Sequence, residues 1–342
     1  MKYVLLKGLK GFGDRLQCLL QAIRYAKATQ RCLVVDWRDK DWCHDENYAF
    51  DAYFSLKGLS SMSYPHFIDT VSKLHSLEWF PAAWVSKLKA RDFDLYINHA
   101  AFKLPENGKC IERISAGLRK DFTEDVVVYP GVGERVFHYA DISHVTIDHH
   151  VEAYILQFAD QLGLFSKSYD VVHLRGGTKH WAGGSIEDES PVKHLHTQWD
   201  THERYLEEIY HKHLSGTSSK ERLPLYILSD MPNMAELWFD AFGRCQLIPN
   251  SAHGQMVGSG IHLLDMEALM AGCNATKHQL NLECIRDFVI MLNARSLVGD
   301  GVSLFSLMAQ KFRYNNLTLL PFARRGLEEG NINEQQLTKF SF

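Results

Sequence analysis

The sequence predicts an α/β fold of two Rossmann-like domains whose parallel sheets face each other across a cleft. Three observations predict it. A short apolar run, a glycine turn, an amphipathic stretch and a second apolar run follow one another within the opening "YVLLKGLKGFGDRLQCLLQAIRYAKATQRCLVVDW". The same alternation returns from "YDVVHLRGG" onwards. The chain is 342 residues long, enough for two ordinary domains. Strands alternating with helices argue for parallel sheets covered on both faces.

In order, Tyr3 to Leu6 is a buried strand ending at glycine. From Arg15, apolar residues at Leu16, Leu19, Leu20 and Ile23 have helical spacing, with Arg24 and Lys27 on the other face. Cys32 to Asp36 is the second strand, which completes a βαβ unit. The stretch from Asp39 to Asp148 is less regular and rich in aromatics, with strands expected at Asp94–Asn98 and Asp125–Tyr129. A helix follows over Val151–Leu162. The second series then begins with strands at "YDVVHL", "LPLYILSD" and "CQLIP". Helices are expected at His202–Leu214, "PNMAELWFDAFG", "LNLECIRDFVIMLNA" and "VSLFSLMAQKF". "RSLVGD" and "NLTLLP" are the last strands. The expected domains are 1–150 and 151–342.

Composition narrows the function. Net charge is −4, so nothing global recruits nucleic acid or an anionic membrane. No stretch approaches the roughly 18 apolar residues of a membrane span, and no signal peptide opens the chain. The seven scattered cysteines form no Cys-x-x-Cys pair and read as reduced core residues of a cytoplasmic protein. The 18 histidines include His149/His150, His194/His196 and His211/His213, but none has metal-ligand spacing with a carboxylate partner. No resident metal or cofactor is expected.

Four motifs remain. In the first, Gly8, Gly11 and Gly13 precede Asp14 and Arg15 between a strand and a helix, where backbone N–H groups can meet an anion. A tight turn with close helix–strand packing explains the same glycines. Asp36 ends the next strand, where a dinucleotide fold places its ribose-binding acid, although the glycine spacing is not Gly-x-Gly-x-x-Gly. In the second, a strand delivers His173 and Arg175 to its C-terminal end, followed by two glycines and Lys179. Arginine grips a diphosphate bidentately and lysine adds a point charge. The third is Asp230, at a strand end before a helix, a ligand contact or a helix cap. In the fourth, Asp287 sits inside an apolar helix, costly unless paired with an arginine such as Arg286 or Arg295. Beyond it, Gly299, Asp300, Gly301 and Ser303 form a loop at the next helix N-terminus, ready for an anion or for plain capping.

These motifs together resemble the fucosyltransferase superfamily, closest to the bacterial nodulation chitooligosaccharide α1,6-fucosyltransferase and the α1,6- and protein O-fucosyltransferases. The resemblance runs through Gly11–Trp37, where Gly11, Gly13, Asp14, Thr29, Arg31, Asp36 and Trp37 match the family's N-terminal signature. "HLRGGTK" is similar to the family's His-x-Arg-Arg-x-Asp-Lys at His173, Arg175 and Lys179. Gly176 stands where many relatives have a second arginine, and Thr178 where they have aspartate. Asp230, Asp287 and Ser303 match the later motifs.

The resemblance implies a GT-B fold and an inverting, metal-independent transfer of fucose from GDP-fucose to a glycan acceptor. It implies that the C-terminal domain holds the donor and the N-terminal one faces the acceptor. Arg175 would neutralise the departing β-phosphate and Lys179 would assist. His173, Asp230 and Asp287 would serve donor binding; Gly301 and Ser303 would hold the diphosphate; Gly11 and Gly13 would reach the sugar end. Asp14 is the positional candidate for the base, with Glu187, Asp188 and Glu189 as others. The alternative is a non-catalytic nucleotide-sugar or glycan binder derived from the family, which Gly176 favours. A nicotinamide dehydrogenase would rest on the glycines and Asp36.

Overall fold

A computed structural model describes residues 1–8, 11–43, 46–74, 76–91, 97, 122–129, 139–164, 168–174, 223–229, 245–251, 275–299 and 303–314. The chain divides into two compact units, Met1–Ala153 and Tyr154–Arg313. The expected helices at 202–214 and 232–243 and the strand at 316–321 lie outside the described residues. So does the strand at 94–98 apart from Ile97, which is helical.

In the first unit β1 (Tyr3–Lys7) and β2 (Cys32–Asp36) flank α1 (Phe12–Thr29) in sequence, and every residue of both strands is buried. Such runs, apolar up to Lys7 and Asp36 at their ends, suit the centre of a parallel sheet. β3 (Phe54–Leu56) stands apart and pairs antiparallel with β7 (Val145–Ile147). β4 (Ser61–Met62), β5 (Trp79–Phe80) and β6 (Val126–Tyr129) complete an all-parallel sheet of order β4-β2-β1-β6-β5. Under one face lies α2 (Tyr64–Ser72), and Phe67 joins Leu5, Val34, Trp79, Trp84 and Val128 in the core.

Two strand entries of this sheet are tied by a buried cation. α1 stops where Gln30 turns left-handed at φ 54°, and Arg31 follows. From its buried position Arg31 donates through Nη1 to the carbonyl of Glu124 at 2.8 Å and through Nη2 to that of Phe122. One side chain so anchors the entry to β2 against the entry to β6. This accounts structurally for the arginine in the N-terminal signature.

In the second unit β8 (Asp170–Leu174), β9 (Leu225–Ser229), β10 (Cys245–Leu247) and β11 (Ser296–Gly299) form a parallel sheet of order β10-β9-β8-β11. α3 (His149–Leu162) leads into it, while α4 (Lys277–Asn293) and α5 (Leu304–Tyr314) flank β11 in sequence. The chain steps outward from β8 to β9 to β10, then returns to the other side of β8. That reversal between β8 and β11 is a topological switch point, where the carboxyl ends of neighbouring strands open a crevice for ligands. The opposite ends are pinned: Arg295 donates bidentately to Asp170 at 2.9 and 2.5 Å, and Arg313 donates to the carbonyls of Ala294 and Arg295.

The two-sheet parallel α/β architecture read from the sequence is therefore present. Among the described residues no helix is long and apolar enough to cross a membrane. The described cysteines, Cys18, Cys32, Cys43, Cys245 and Cys284, are buried thiols.

Candidate functional site

At the switch point of the second unit, the register sets His173 beside Gly299. A Cβ on Gly299 would lie 2.5 Å from Cβ and 2.8 Å from Oγ of Ser306, so only glycine lets the first turn of α5 press against the strand end. The His173 ring lies 5.5 Å from Phe305, which lies 5.5 Å from Phe288 of α4. Ser303 caps α5 with its backbone: its carbonyl accepts from Leu307 N at 2.9 Å and from Ser306 Oγ at 3.2 Å. Its own hydroxyl does something else. Ser303 is 1% exposed, and among the described residues its Oγ has no hydrogen-bond partner. A capping serine would satisfy a first-turn N–H with that oxygen. A buried hydroxyl without a partner costs free energy, so this one calls for a partner beyond the described residues. At the N-terminus of an 11-residue helix, the fitting partner is an anion.

The structure thus brings His173 and Ser303 to one strand edge. Arg175, Lys179, Asp230 and Gly301 lie outside the described residues. The strands that lead to Arg175 and Asp230, β8 and β9, end side by side, with Leu174 opposite Ser229.

Asp287 belongs to a different set of side chains on α4. Arg286 Nε donates to its Oδ1 at 2.8 Å, and Arg286 Nη2 also donates to the Pro249 carbonyl at 2.8 Å. The guanidinium lies 4.1 Å over the Phe158 ring. One turn back, Glu283 accepts from Ser251 N and Oγ at 2.9 and 2.5 Å and from Gln279 Nε2 at 3.0 Å. α4 therefore grips the segment after β10. The Asp287 side chain remains 15% exposed. Burial pushes its carboxyl up to about 6, against the lowering pull of Arg286, with Glu283 adding repulsion.

That shift fixes a sign. The unfolded chain releases the Asp287 proton near 3.8 and the folded chain near 6, so folding favours the protonated acid. Its stabilising contribution is complete below about pH 4 and is lost as pH rises through about 6. Chemical denaturation should show wild type losing about 2 kcal/mol relative to Asp287→Asn between pH 4 and pH 7. Parallel curves for the two proteins would refute the shift. Asp39 has the opposite sign: burial would raise it, but Arg15 outweighs burial and holds it low, so its contribution vanishes only in acid.

In the first unit, Gly11 is the N-cap of α1 with extended backbone (φ −74°, ψ 170°), which any residue adopts. Gly13 lies inside the first helical turn and is buried. Neither glycine has a positive φ. The close approach falls instead at Gly8, where a Cβ would come within 2.8 Å of Asp39 Oδ2 and Trp37 Cδ1 and would collide with Arg15 Nη1. Asp14, half-buried in the first turn of α1, complements the helix dipole there.

Asp36 is not a ribose ligand. Lys7 Nζ donates to its Oδ2 at 2.6 Å, Arg38 Nε to its Oδ1 at 2.9 Å, and the carboxylate is wholly enclosed. The dinucleotide reading of this acid fails because its oxygens are committed inside the protein. The aromatics after it are core: Trp37, Trp42, Trp84, Phe50 and Tyr53 are all buried, leaving no stacking platform among them. His149 and His150 converge through Nδ1 on Asp148 Oδ1, at 2.9 and 2.6 Å, and Oδ1 also accepts from His150 N. That is a capping arrangement at the start of α3.

Sequence reading missed the buried charges Lys7, Arg15, Arg38 and Asp39. A signal was present: each interrupts or adjoins a stretch that is otherwise apolar, where an unpaired charge would be expensive.

No protein-family model and no curated protein matches the chain. Solved structures do. A NodZ alpha-1,6-fucosyltransferase soaked with GDP-fucose superposes with a TM-score of 0.58 at 16% identity, over 91% of this chain and 92% of that one. Fucosyltransferase NodZ from Bradyrhizobium gives 0.58 and 16% over 92% and 93%. POFUT1 in complex with GDP gives 0.52 and 13% over 91% and 95%. Along nine-tenths of its length the chain therefore has the GT-B fold of these fucosyltransferases.

Proposed function

We propose that the protein is an inverting glycosyltransferase that moves fucose, or a closely similar sugar, from GDP-fucose to a glycan acceptor without a metal ion. The observation that carries this reading is the buried hydroxyl of Ser303, without a partner among the described residues, at the N-terminus of the helix whose Phe305 packs on His173, in a fold shared with a NodZ soaked with GDP-fucose. In this reading the second unit holds the donor, with Ser303 and the backbone at Gly301 on the diphosphate. His173, Asp230 and Asp287 serve the nucleoside or its supports. Arg175 stabilises the charge that develops on the β-phosphate as the glycosidic bond breaks, and Lys179 adds to it. Side-chain cations in this role take the place of a divalent ion. The first unit presents the acceptor, whose hydroxyl loses its proton as it attacks, to Asp14 or through solvent. Buried thiols suit a cytoplasmic location.

A thermal-shift panel of GDP, UDP and NAD tests the class. GDP at a hundredfold excess over its Kd should stabilise by about 2.7 kcal/mol, with UDP and NAD without effect. Stabilisation by NAD, or by none of the three, would overturn the donor assignment. Gly176, where many related sequences have arginine, favours a second reading, a nucleotide-sugar binder without catalysis. Binding of GDP with no release of free sugar from GDP-fucose would select it.

A further inference from the structure

Five charged side chains, Lys7, Arg15, Asp36, Arg38 and Asp39, lie buried together where β1 and β2 end. Burying ion pairs is a poor way to gain stability, because well-packed apolar replacements are often as good or better. Arg15 is the least expected of the five. It sits in the first turn of α1, the end of a helix that disfavours cations.

Its surroundings show what the charge accomplishes. Nη1 and Nη2 donate to Asp39 Oδ2 and Oδ1 at 2.7 and 2.6 Å, a two-pronged geometry that fixes the guanidinium plane. That plane lies 5.6 Å from the Trp37 ring and 5.4 Å from the Trp42 ring. Nη1 presses on Gly8, and Gly8 N donates to the Asp36 carbonyl at 2.7 Å. Asp39 Oδ1 also accepts from Asp41 N at 3.2 Å. One ion pair therefore joins Gly8, at the end of β1, and the first turn of α1 to the segment after β2. With Arg15 locked inward, the rotation of the first helical turn about its axis is set. Asp14, one residue earlier and about 100° around the helix, is set with it.

We propose that Arg15 and Asp39 are positioning residues: they fix Gly8 and the first turn of α1, and with it Asp14, in the geometry that sugar transfer requires. The catalytic half of this rests on the glycosyltransferase reading; the mechanical half does not. The test is the double variant Arg15→Met/Asp39→Asn, which removes both charges at similar volume and leaves neither buried alone. Hydrogen exchange should be at least about tenfold faster at residues 8–14, with β1, β2 and the later turns of α1 as protected as before. Transfer kcat should fall at least about tenfold while the KM for GDP-fucose holds. Arg15→Lys, which keeps the charge but not the two-pronged contact, should fail to restore kcat. Unchanged exchange at 8–14 overturns the lock, whatever the activity. A loosened turn with wild-type kcat overturns the positioning role. Wild type that transfers no sugar defeats the glycosyltransferase reading instead, and the exchange result then decides the lock alone.

Discussion

Arg175→Ala is expected to cut transfer from GDP-fucose by about 10²- to 10³-fold while leaving thermal unfolding nearly unchanged. A metal-free transfer needs a cation where the β-phosphate oxygen that leaves the sugar gathers charge. In this chain Arg175 directly follows β8, an inner strand of the second unit's sheet beside the switch point. An interaction that strengthens only as the bond breaks is lost equally from kcat and kcat/KM, so both should fall together. Gly176 sharpens the expectation, because no neighbouring arginine stands ready to compensate. Steady-state kinetics with calorimetry on the same protein measures it. Near-normal turnover in this variant would refute the role given to Arg175.

Asp36→Ala is expected to cost about 3–5 kcal/mol of folding stability. The change removes little volume, but it takes the shared carboxylate from two buried cations. Among the described residues Lys7 would keep the Ala90 carbonyl at 2.5 Å and the Trp84 ring at 5.8 Å, and Arg38 would lose its Asp36 ion pair while still lying 3.8 Å from the Tyr64 ring. Against a typical total of 5–15 kcal/mol, that loss brings the first unit near unfolding. Urea denaturation at neutral pH measures it. Asp36→Asn, which keeps the shape and one of the two acceptor oxygens, should lose less. A cost for the alanine below about 1 kcal/mol would mean the cations find water and the cluster is not sealed.

Much of this architecture was legible because the apolar spacing is local. Tyr3 to Leu6, Cys32 to Asp36 and the helical row from Leu16 to Ile23 each need only their own side chains to declare a period. The α4 and α5 helices and the strand between them were legible for the same reason. The candidate site was legible in part. His173, Asp287 and Ser303 stood out as polar groups at strand ends or within apolar runs. Asp36 misled, because an acid ending the second strand reads alike whether it meets a ribose or a lysine. The partner that decides, Lys7, lies 29 positions away.

By itself the sequence determined the α/β class, the order of strands and helices and the motifs that carry a fucosyltransferase resemblance, since periodicity and residue type are properties of the chain alone. Only the tertiary structure decided which polar groups are already satisfied. It spent Asp36 and Asp39 on Lys7, Arg38 and Arg15, paired Asp287 with Arg286 rather than Arg295, set a demand for glycine at Gly8, and left the Ser303 hydroxyl without a partner among the described residues. The reason is distance. Hydrogen bonds and ion pairs act over about 3 Å, and which atoms lie that close depends on the crossings of strands that local pattern does not encode.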